Sequence, residues 1–516
     1  MEPLTDIEDA IDGDASHGFS PGDSSARPVA SAVRQPKSLT VNATMNLLNQ
    51  ASAVLFPLIT FPYVSRVLQP EGLGRVSFAQ AVVGYFAMIA SLGIPLYGVR
   101  EAARRRDDKV ALSTLAAELF LLNGMMTLLA LSGFGVFMLI STKAASDPRL
   151  FWICALPMLA VPLGFGWLFG GLEEYVYITL RSLAFRMVVL AAIFLFIQTQ
   201  DDYRIYAMIV GLSAAGSEVL NLYFIRNLIS WKTISLKSVH VLQHLKPVLV
   251  IFSLVGVISI YTSLDKVMLG YLTDDRQVGL YSAADRLVKV IVVLVTSMGV
   301  VLVPRLSYYV QQKRFTEYSR LANLSVRVLA FVSFPAAAAL IVLARPVILL
   351  FCGSRFEPSS PLVQIMGINV VLIAFSSFIG YQVLYSQGKE RLLVCSVLFG
   401  AVSNLILNWL LIPQWQAMGA AVATLVAEAL VTGVQIVLAR PYVRFTWPLT
   451  DIVKYFVTAA SVALMAVLLS QSVSGAFACI AISLAMGGSL YFAAMWTFRD
   501  RTLRELLARY SSGSSA

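Results

Sequence analysis

Polar and apolar residues fall in long blocks along this chain rather than alternating. From residue 44 onward, apolar runs are separated by short polar connections, and the runs lie near 44–68, 74–99, 111–141, 150–171, 176–198, 203–225, 247–271, 279–304, 321–351, 361–387, 391–412, 417–439, 450–471 and 475–498. An α-helix rises about 1.5 Å per residue, so about 20 apolar residues cross the roughly 30 Å hydrocarbon core of a bilayer. Backbone groups in lipid must be satisfied within the segment, and none of the runs shows the period-two alternation of a barrel strand. Each run therefore predicts a transmembrane helix. The expected fold class is all-α integral membrane, with about 14 transmembrane helices arranged as two six-helix lobes plus two C-terminal helices. The boundaries are 1–40 for a disordered acidic tail, 41–240 for helices 1–6, 241–440 for helices 7–12, 441–498 for helices 13–14, and 499–516 for a second tail.

Composition removes whole classes of function. Of 516 residues, 58% are hydrophobic and 13% charged, with a mean hydropathy of +0.76. An ordinary soluble domain is about 45–50% apolar and about 25% charged. A soluble enzyme and a nucleic-acid-binding protein are both excluded. The formal net charge of +10 is explained by its placement: basic residues crowd the alternate loops, most densely at Arg100, Arg104, Arg105, Arg106 and Lys109. Such loops stay on the cytoplasmic side and touch anionic lipid heads. That rule places both termini in the cytoplasm and makes membrane lipids the first partners. The polar, acidic start is no cleavable signal peptide, which needs a basic start followed at once by an apolar stretch.

Catalytic and metal chemistry is not expected. Cys154, Cys352, Cys395 and Cys479 are far apart, and His17, His240 and His244 lie outside the apolar runs. Neither set has metal-ligand spacing. The chain has no GxxxxGK[ST] phosphate loop, no HExxH and no GxSxG elbow. No cofactor and no enzyme activity are expected; coupling to protons or sodium is.

A weak internal repeat points to transport. Gly74-Arg-Val-Ser77-Phe-Ala79 follows a loop with Glu71, and Gly279-Leu-Tyr-Ser282-Ala-Ala284 follows a loop with Asp274 and Asp275. Pro95 and Pro304 lie near the ends of the spans that follow. Two repeats around a site near the membrane midplane are an architecture of secondary transporters.

Asn46-Leu-Leu-Asn49, Pro62-Tyr-Val-Ser-Arg66-Val-Leu, Gly72-Leu-Gly74 and Ser77-Phe-Ala79 together resemble the opening of bacterial polysaccharide flippases of the Wzx type. Leu92-Gly-Ile94, Gly98-Val-Arg100-Glu101, Trp167-Leu-Phe-Gly-Gly171-Leu-Glu-Glu174-Tyr and Leu264-Asp-Lys266-Val-Met-Leu-Gly270 extend the likeness over roughly residues 42–440. That family lies in a superfamily with lipid II flippases and multidrug exporters. The resemblance implies translocation of undecaprenyl-diphosphate-linked oligosaccharide repeat units from the inner to the outer leaflet. The product would be a surface polysaccharide: exopolysaccharide, capsule or O-antigen. A polysaccharide polymerase and a chain-length regulator would be further partners. The long acidic tail departs from the family's usual short start.

Charged residues inside the spans are the candidate site, because each costs roughly 2.5–3.5 kcal/mol at the centre of a lone helix and needs a partner or a watery cavity. Arg66, Arg181, Arg186, Lys266, Arg286 and Lys289 are candidates to line a cationic cavity for a diphosphate, an anion suited to charge-assisted and bidentate contacts. Simpler readings stand beside several of these. Asp285 and Lys289 are four apart and can pair on one helix face. Asp265 and Lys266 can cap a helix end with a snorkelling lysine, while Arg181 and Arg327 can be interfacial anchors. Arg186 lies too deep to snorkel. Glu118, as its partner or as an ion site, joins Glu218 and Glu428 as the ion-coupling candidates. Pro57, Pro62, Pro157, Pro162 and Pro335 are candidate hinges between inward-open and outward-open forms, or fixed kinks. Trp152, Trp167 and Trp409 are expected in the interfacial belts.

The leading expectation is a flippase working by alternating access. The alternatives are a lipid II flippase or a multidrug/cation antiporter of the same superfamily and, from a different class, an integral-membrane glycan polymerase or ligase. The external loops are short, which counts against the last.

Overall fold

The computed structural model describes residues 39–226, 228–230, 239–300, 302–443, 445–470 and 475–505. The acidic tail up to residue 38 and the serine-rich end from residue 506 lie outside these. Among the described residues no strand occurs, and every apolar run of the sequence falls on helix. Nine helical stretches among them are long and apolar enough to cross a bilayer, or ten with one bent pair. This protein is a multi-pass membrane protein.

The helices do not follow the runs one for one. Helix α1 (Leu39–Ser91) contains the first run and most of the second, joined at Gln69, whose φ of 60° and ψ of 177° break the helix. The cause is Pro70, which has no N–H to donate and restricts the residue before it. The helix continues through Pro57 and Pro62, so the sharp break is at a proline that hydropathy assigns to a connection. After Leu92 and Gly93, both at positive φ, α2 (Ile94–Arg104) turns away. Then come α3 (Lys109–Ile140), α4 (Thr142–Ser146) and α5 (Pro148–Ala160).

The fourth run is the most broken. Pro157 lies within α5, while Pro162 sits in a 3₁₀ turn that precedes α6 (Gly166–Gly171). Trp167, expected at an interface, is 4% exposed. Its ring lies where a Cβ on Gly98 would stand, so the glycine of α2 makes its slot. Next are α7 (Tyr175–Phe196) and α8 (Tyr203–Ile225).

The second half opens with α9 (Leu245–Leu272), which bends by 48° between Ser253 and Gly256. It continues with α10 (Asp275–Val300), α11 (Val303–Gln311), α12 (Phe315–Val342) and α13 (Ala344–Phe351). Pro335 sits inside α12 without ending it. Then α14 (Ser360–Gly367) leads to α15 (Asn369–Ser377), which runs into a π-helical turn at Phe378–Leu384. Helix α16 (Glu390–Ala439) holds the eleventh and twelfth runs, joined at Gln416 with φ 50° and ψ −129°. Helices α17 (Leu449–Ser470) and α18 (Ala476–Thr497) close the chain.

The repeat seen in the sequence is a contact in space. A Cβ on Gly74 would run into the carbonyl of Asp275, and a Cβ on Gly279 into the carbonyl of Pro70. The two motifs thus cross backbone to backbone where α1 turns and α10 begins. Tyr281, Val278, Leu68 and Val64 are buried in the core cluster around that crossing.

Candidate functional site

The in-span charges separate into three groups. The first is on α9 and α10. Asp285 is 7% exposed and lies 2.8 Å from the Lys266 amine and 2.9 Å from the Lys289 amine. The four-residue spacing therefore does make the expected pair, but a second lysine from α9 shares the same carboxylate. The next residue, Arg286, stacks its guanidinium over the Phe61 ring of α1 at 4.7 Å, at the distance where a cation is attracted by an aromatic face. Two cations therefore share one carboxylate, with a third on the neighbouring residue, and the Lys289 side chain is 49% exposed.

Beside them is a polar group around Asp265, which the sequence offered as a helix-end cap next to Lys266. The Asp265 carboxylate is 6% exposed and accepts hydrogen bonds from Tyr281 Oη at 2.5 Å, Asn408 Nδ2 at 2.7 Å and Thr424 Oγ1 at 2.9 Å. Among the described residues no cation pairs with it. Asn408 Nδ2 also reaches Asn404 Oδ1 at 3.0 Å, and both asparagines are fully buried. Buried polar atoms are usually paired, yet Asn404 Nδ2 and Asn408 Oδ1 find no partner among the described residues. The signal in the sequence was the Asn404–Asn408 spacing, one helical turn inside an apolar run. One turn past Thr424, Glu428 accepts from Tyr261 Oη at 2.8 Å.

The second group lies mostly in the first half, and here each cation is committed to a hydrogen-bond or ion-pair partner. Arg186 donates to the Asn49 carbonyl at 3.1 Å, to Asn49 Oδ1 at 3.2 Å and to Ser52 Oγ. It fastens α7 to α1. Arg181 donates to Asn221 Oδ1 and lies 5.6 Å over the Tyr177 ring, while Asn221 donates to Glu218 Oε2 at 2.8 Å. Arg66 donates to the Leu350 carbonyl at 2.5 Å, one of the carbonyls left free at the end of α13. Arg327 pairs with Glu505 at 3.0 Å.

Glu118 belongs to a third group and does not meet Arg186. It lies 2.8 Å from His244 Nε2 and accepts from the His240 amide at 2.7 Å and from Gln243 Nε2 at 3.1 Å. His244 Nδ1 in turn lies 2.7 Å from Tyr97 Oη. Glu118 and Arg186 are nearly equally deep along their helices, but Glu118 faces α2 and the start of α9 while Arg186 faces α1. Depth was legible; direction was not.

At the end where α1 turns, the two halves are laced together. Arg75 pairs with Asp275 at 3.1 Å and Arg276 with Glu71 at 3.8 Å. Ser65 donates to the Phe351 carbonyl at 3.2 Å, Arg355 to Gln69 Oε1 at 2.8 Å and Lys143 to the Thr273 carbonyl at 3.4 Å. In the same region Asp147 caps α5. Burial pushes its carboxyl upward, but hydrogen bonds from Tyr203, Arg204 and the Leu150 amide outweigh this and hold it below the usual carboxylate range.

Two lysines sharing a carboxylate, with an arginine stacked on an aromatic ring beside them, can receive an anion by charge-assisted hydrogen bonds. A buried carboxylate ringed by amide and hydroxyl oxygens can hold a proton or a small hard cation. Among the described residues no group of three or more His, Cys, Asp and Glu side chains has metal-site geometry.

Comparison with known proteins adds to this geometry. Residues 39–310 match the family described as "Polysaccharide biosynthesis protein", and residues 250–410 match the one described as "MatE". A protein of Escherichia coli (strain K12) named "Putative O-antigen transporter" is 24% identical over 406 residues, spanning 78% of this chain and 97% of that one. Among solved structures, a lipid II flippase MurJ in an inward closed conformation superposes with a TM-score of 0.72 at 14% identity, covering 89% of this chain and 99% of that one. An inward-facing multidrug resistance MATE family transporter gives 0.61 at 15% identity, covering 77% and 97%. Both superpositions speak to fold.

Proposed function

The chain belongs to the polysaccharide biosynthesis protein family, and from that premise we propose that it moves a lipid-linked oligosaccharide from the inner to the outer leaflet of the bacterial inner membrane. The observation that carries the reading is the sharing of Asp285 by Lys266 and Lys289, with Arg286 stacked on Phe61 beside them. An undecaprenyl-diphosphate head brings two negative charges. Lys289, half-exposed and competing with Lys266 for one carboxylate, is the cation most readily turned to a diphosphate oxygen. The name of the E. coli relative, an O-antigen transporter, supports the same cargo class. A polymerase and a chain-length regulator would take up the exported units.

The orientation follows from the basic loops. The end where α1 turns faces outward, both termini lie in the cytoplasm, and the fourteen apolar runs act as fourteen spans: six in each lobe and two added by α17 and α18. The lacing at the turn end then closes the outer face, and the cycle proceeds by opening it while the inner face closes. An inside-negative potential favours outward movement of the diphosphate by roughly 2.3 kcal/mol per charge per 100 mV, about 4.6 kcal/mol for two charges. Asp265, with Asn404, Asn408 and Thr424 around it, is our choice for the returning proton or sodium ion. Glu428 stands next to it as a second choice. Of the other two ion-coupling candidates, Glu218 is held in a hydrogen-bonded set of the first half, and Glu118 in one with His240, Gln243 and His244 just before α9.

The experiment is to delete the protein from its host and follow the lipid-linked oligosaccharide. Accumulation in the inner leaflet with loss of surface polymer is the expected result. Normal polymer with no trapped intermediate and a new sensitivity to cationic drugs would move multidrug export to the front.

A further inference from the structure

The membrane-facing side of α7 and α8 carries a groove of about 530 Å³, lined by Phe185 of α7 and by Leu212, Gly216, Val219 and Tyr223 of α8. Gly216 makes the depression: a Cβ there would come within 3.0 Å of the Phe185 ring. Leu212, Val219 and Tyr223 are all exposed along its walls. From Leu212 to Tyr223 is 11 residues, about 16 Å along the helix and close to half of the roughly 30 Å hydrocarbon core. The groove is therefore one leaflet long.

Its end is not apolar. Arg226 follows Tyr223 on the same side of α8, given 3.6 residues per turn, and sets its guanidinium 3.8 Å from the centre of that ring. The side chain is exposed, and among the described residues it makes no ion pair. Glu218, the one acid of α8, is turned the other way, bonded to Asn221 and close to Gly164. A slot one acyl chain long thus ends in a cation at head-group level, and among the described residues no acid lines it.

The geometry points to a retained anionic phospholipid: one acyl chain in the α7–α8 groove and its phosphate on Arg226. A second copy of this chain is disfavoured as the occupant, because it would bring α8's own Arg226 or an apolar span against an uncompensated guanidinium. The site is separate from the proposed transport path and does not depend on it.

The test is native mass spectrometry of the purified full chain in mild detergent, titrated with phosphatidylglycerol and, separately, with phosphatidylcholine. We expect one phosphatidylglycerol to be retained in preference. Arg226→Ala should weaken it about fivefold, the worth of one arginine near an anionic surface. Arg226→Lys should keep most of the preference. Gly216→Leu should lower the retention of both lipids; should that variant fail to accumulate, Leu212→Trp blocks the exposed mouth without touching Phe185. Equal retention of the two lipids by the unmodified chain, or no change in Arg226→Ala, would overturn the assignment. So would a dimer that Gly216→Leu turns into a monomer, because the groove would then be the seat of a second copy.

Discussion

The two halves of this molecule treat buried charge differently. In the first half, Arg181, Arg186 and Glu218 are each bonded to side chains or carbonyls of the same half. In the second, Lys266, Asp285, Arg286 and Lys289 crowd together, and Arg286 reaches across to Phe61 of the first. A buried cation that spends its donors on carbonyls and amides holds helices together. Cations that outnumber their carboxylate leave charge for something else. The difference teaches that the presence of arginine in a span says little about ligand binding until its partners are known.

The comparison can be broken most decisively at the second half. Replacing both lysines, Lys266→Ala with Lys289→Ala, should lower export of lipid-linked oligosaccharide at least about tenfold, the weight of 1.4 kcal/mol, at equal protein level. Export unchanged in that variant would remove the cation cluster from the path. Asp285→Ala is a different experiment. It leaves two lysines without their carboxylate; breaking a fully buried pair costs about 3–5 kcal/mol, the exposure of Lys289 puts the loss at the low end, and a clear fall in melting temperature in detergent is expected. Arg186→Ala should lie between: about 1–3 kcal/mol lost from the unsatisfied Asn49 and Ser52 groups, with transport per folded molecule retained. If transport per molecule collapses while the melting temperature holds, the division between the halves is wrong.

The smallest effect is expected at Asp147. Its folded-state carboxyl is held below the ordinary value, so its contribution is fully present above the ordinary carboxylate range and is lost as pH falls through the folded value. Asp147→Asn keeps a good helix cap but removes the charge that Tyr203 and Arg204 bond to, and should cost about 1 kcal/mol at neutral pH. It should also flatten the acid limb of a melting-temperature profile below about pH 4. An acid limb as steep as before would show that other carboxylates carry it.

How much of this was legible in the sequence depends on range. Blocks of hydropathy report the environment of a segment, and they located every apolar helix. The Asp285–Lys289 pair lies within one turn and was visible. The Gly74 and Gly279 motifs were visible as a repeat because both halves need the same small residue at the same step. What escaped were partners set by folding. Glu118 meets His244 from 126 residues away, and Asp265 meets Thr424 from 159 away. Trp167 is buried because the fourth run breaks just before it and Gly98 lies opposite, and neither fact shows in the hydropathy of residue 167. The break at Gln69 rather than at Pro57 or Pro62 follows from where the chain must reverse, not from how many prolines precede it.

The crossing of Gly74 and Gly279 has a mechanical consequence. Two surfaces that meet through bare backbone fit too closely to admit a water file. Around that contact the side chains of Leu68, Val278 and Tyr281 are buried, so the seam is packed as well as close. The partly hydrated ion pairs Arg75–Asp275 and Arg276–Glu71 at its edge add only about 0–1 kcal/mol each. Closure of this kind is set by shape: a methyl group added at residue 74 or 279 would run into the facing carbonyl and hold the two backbones apart.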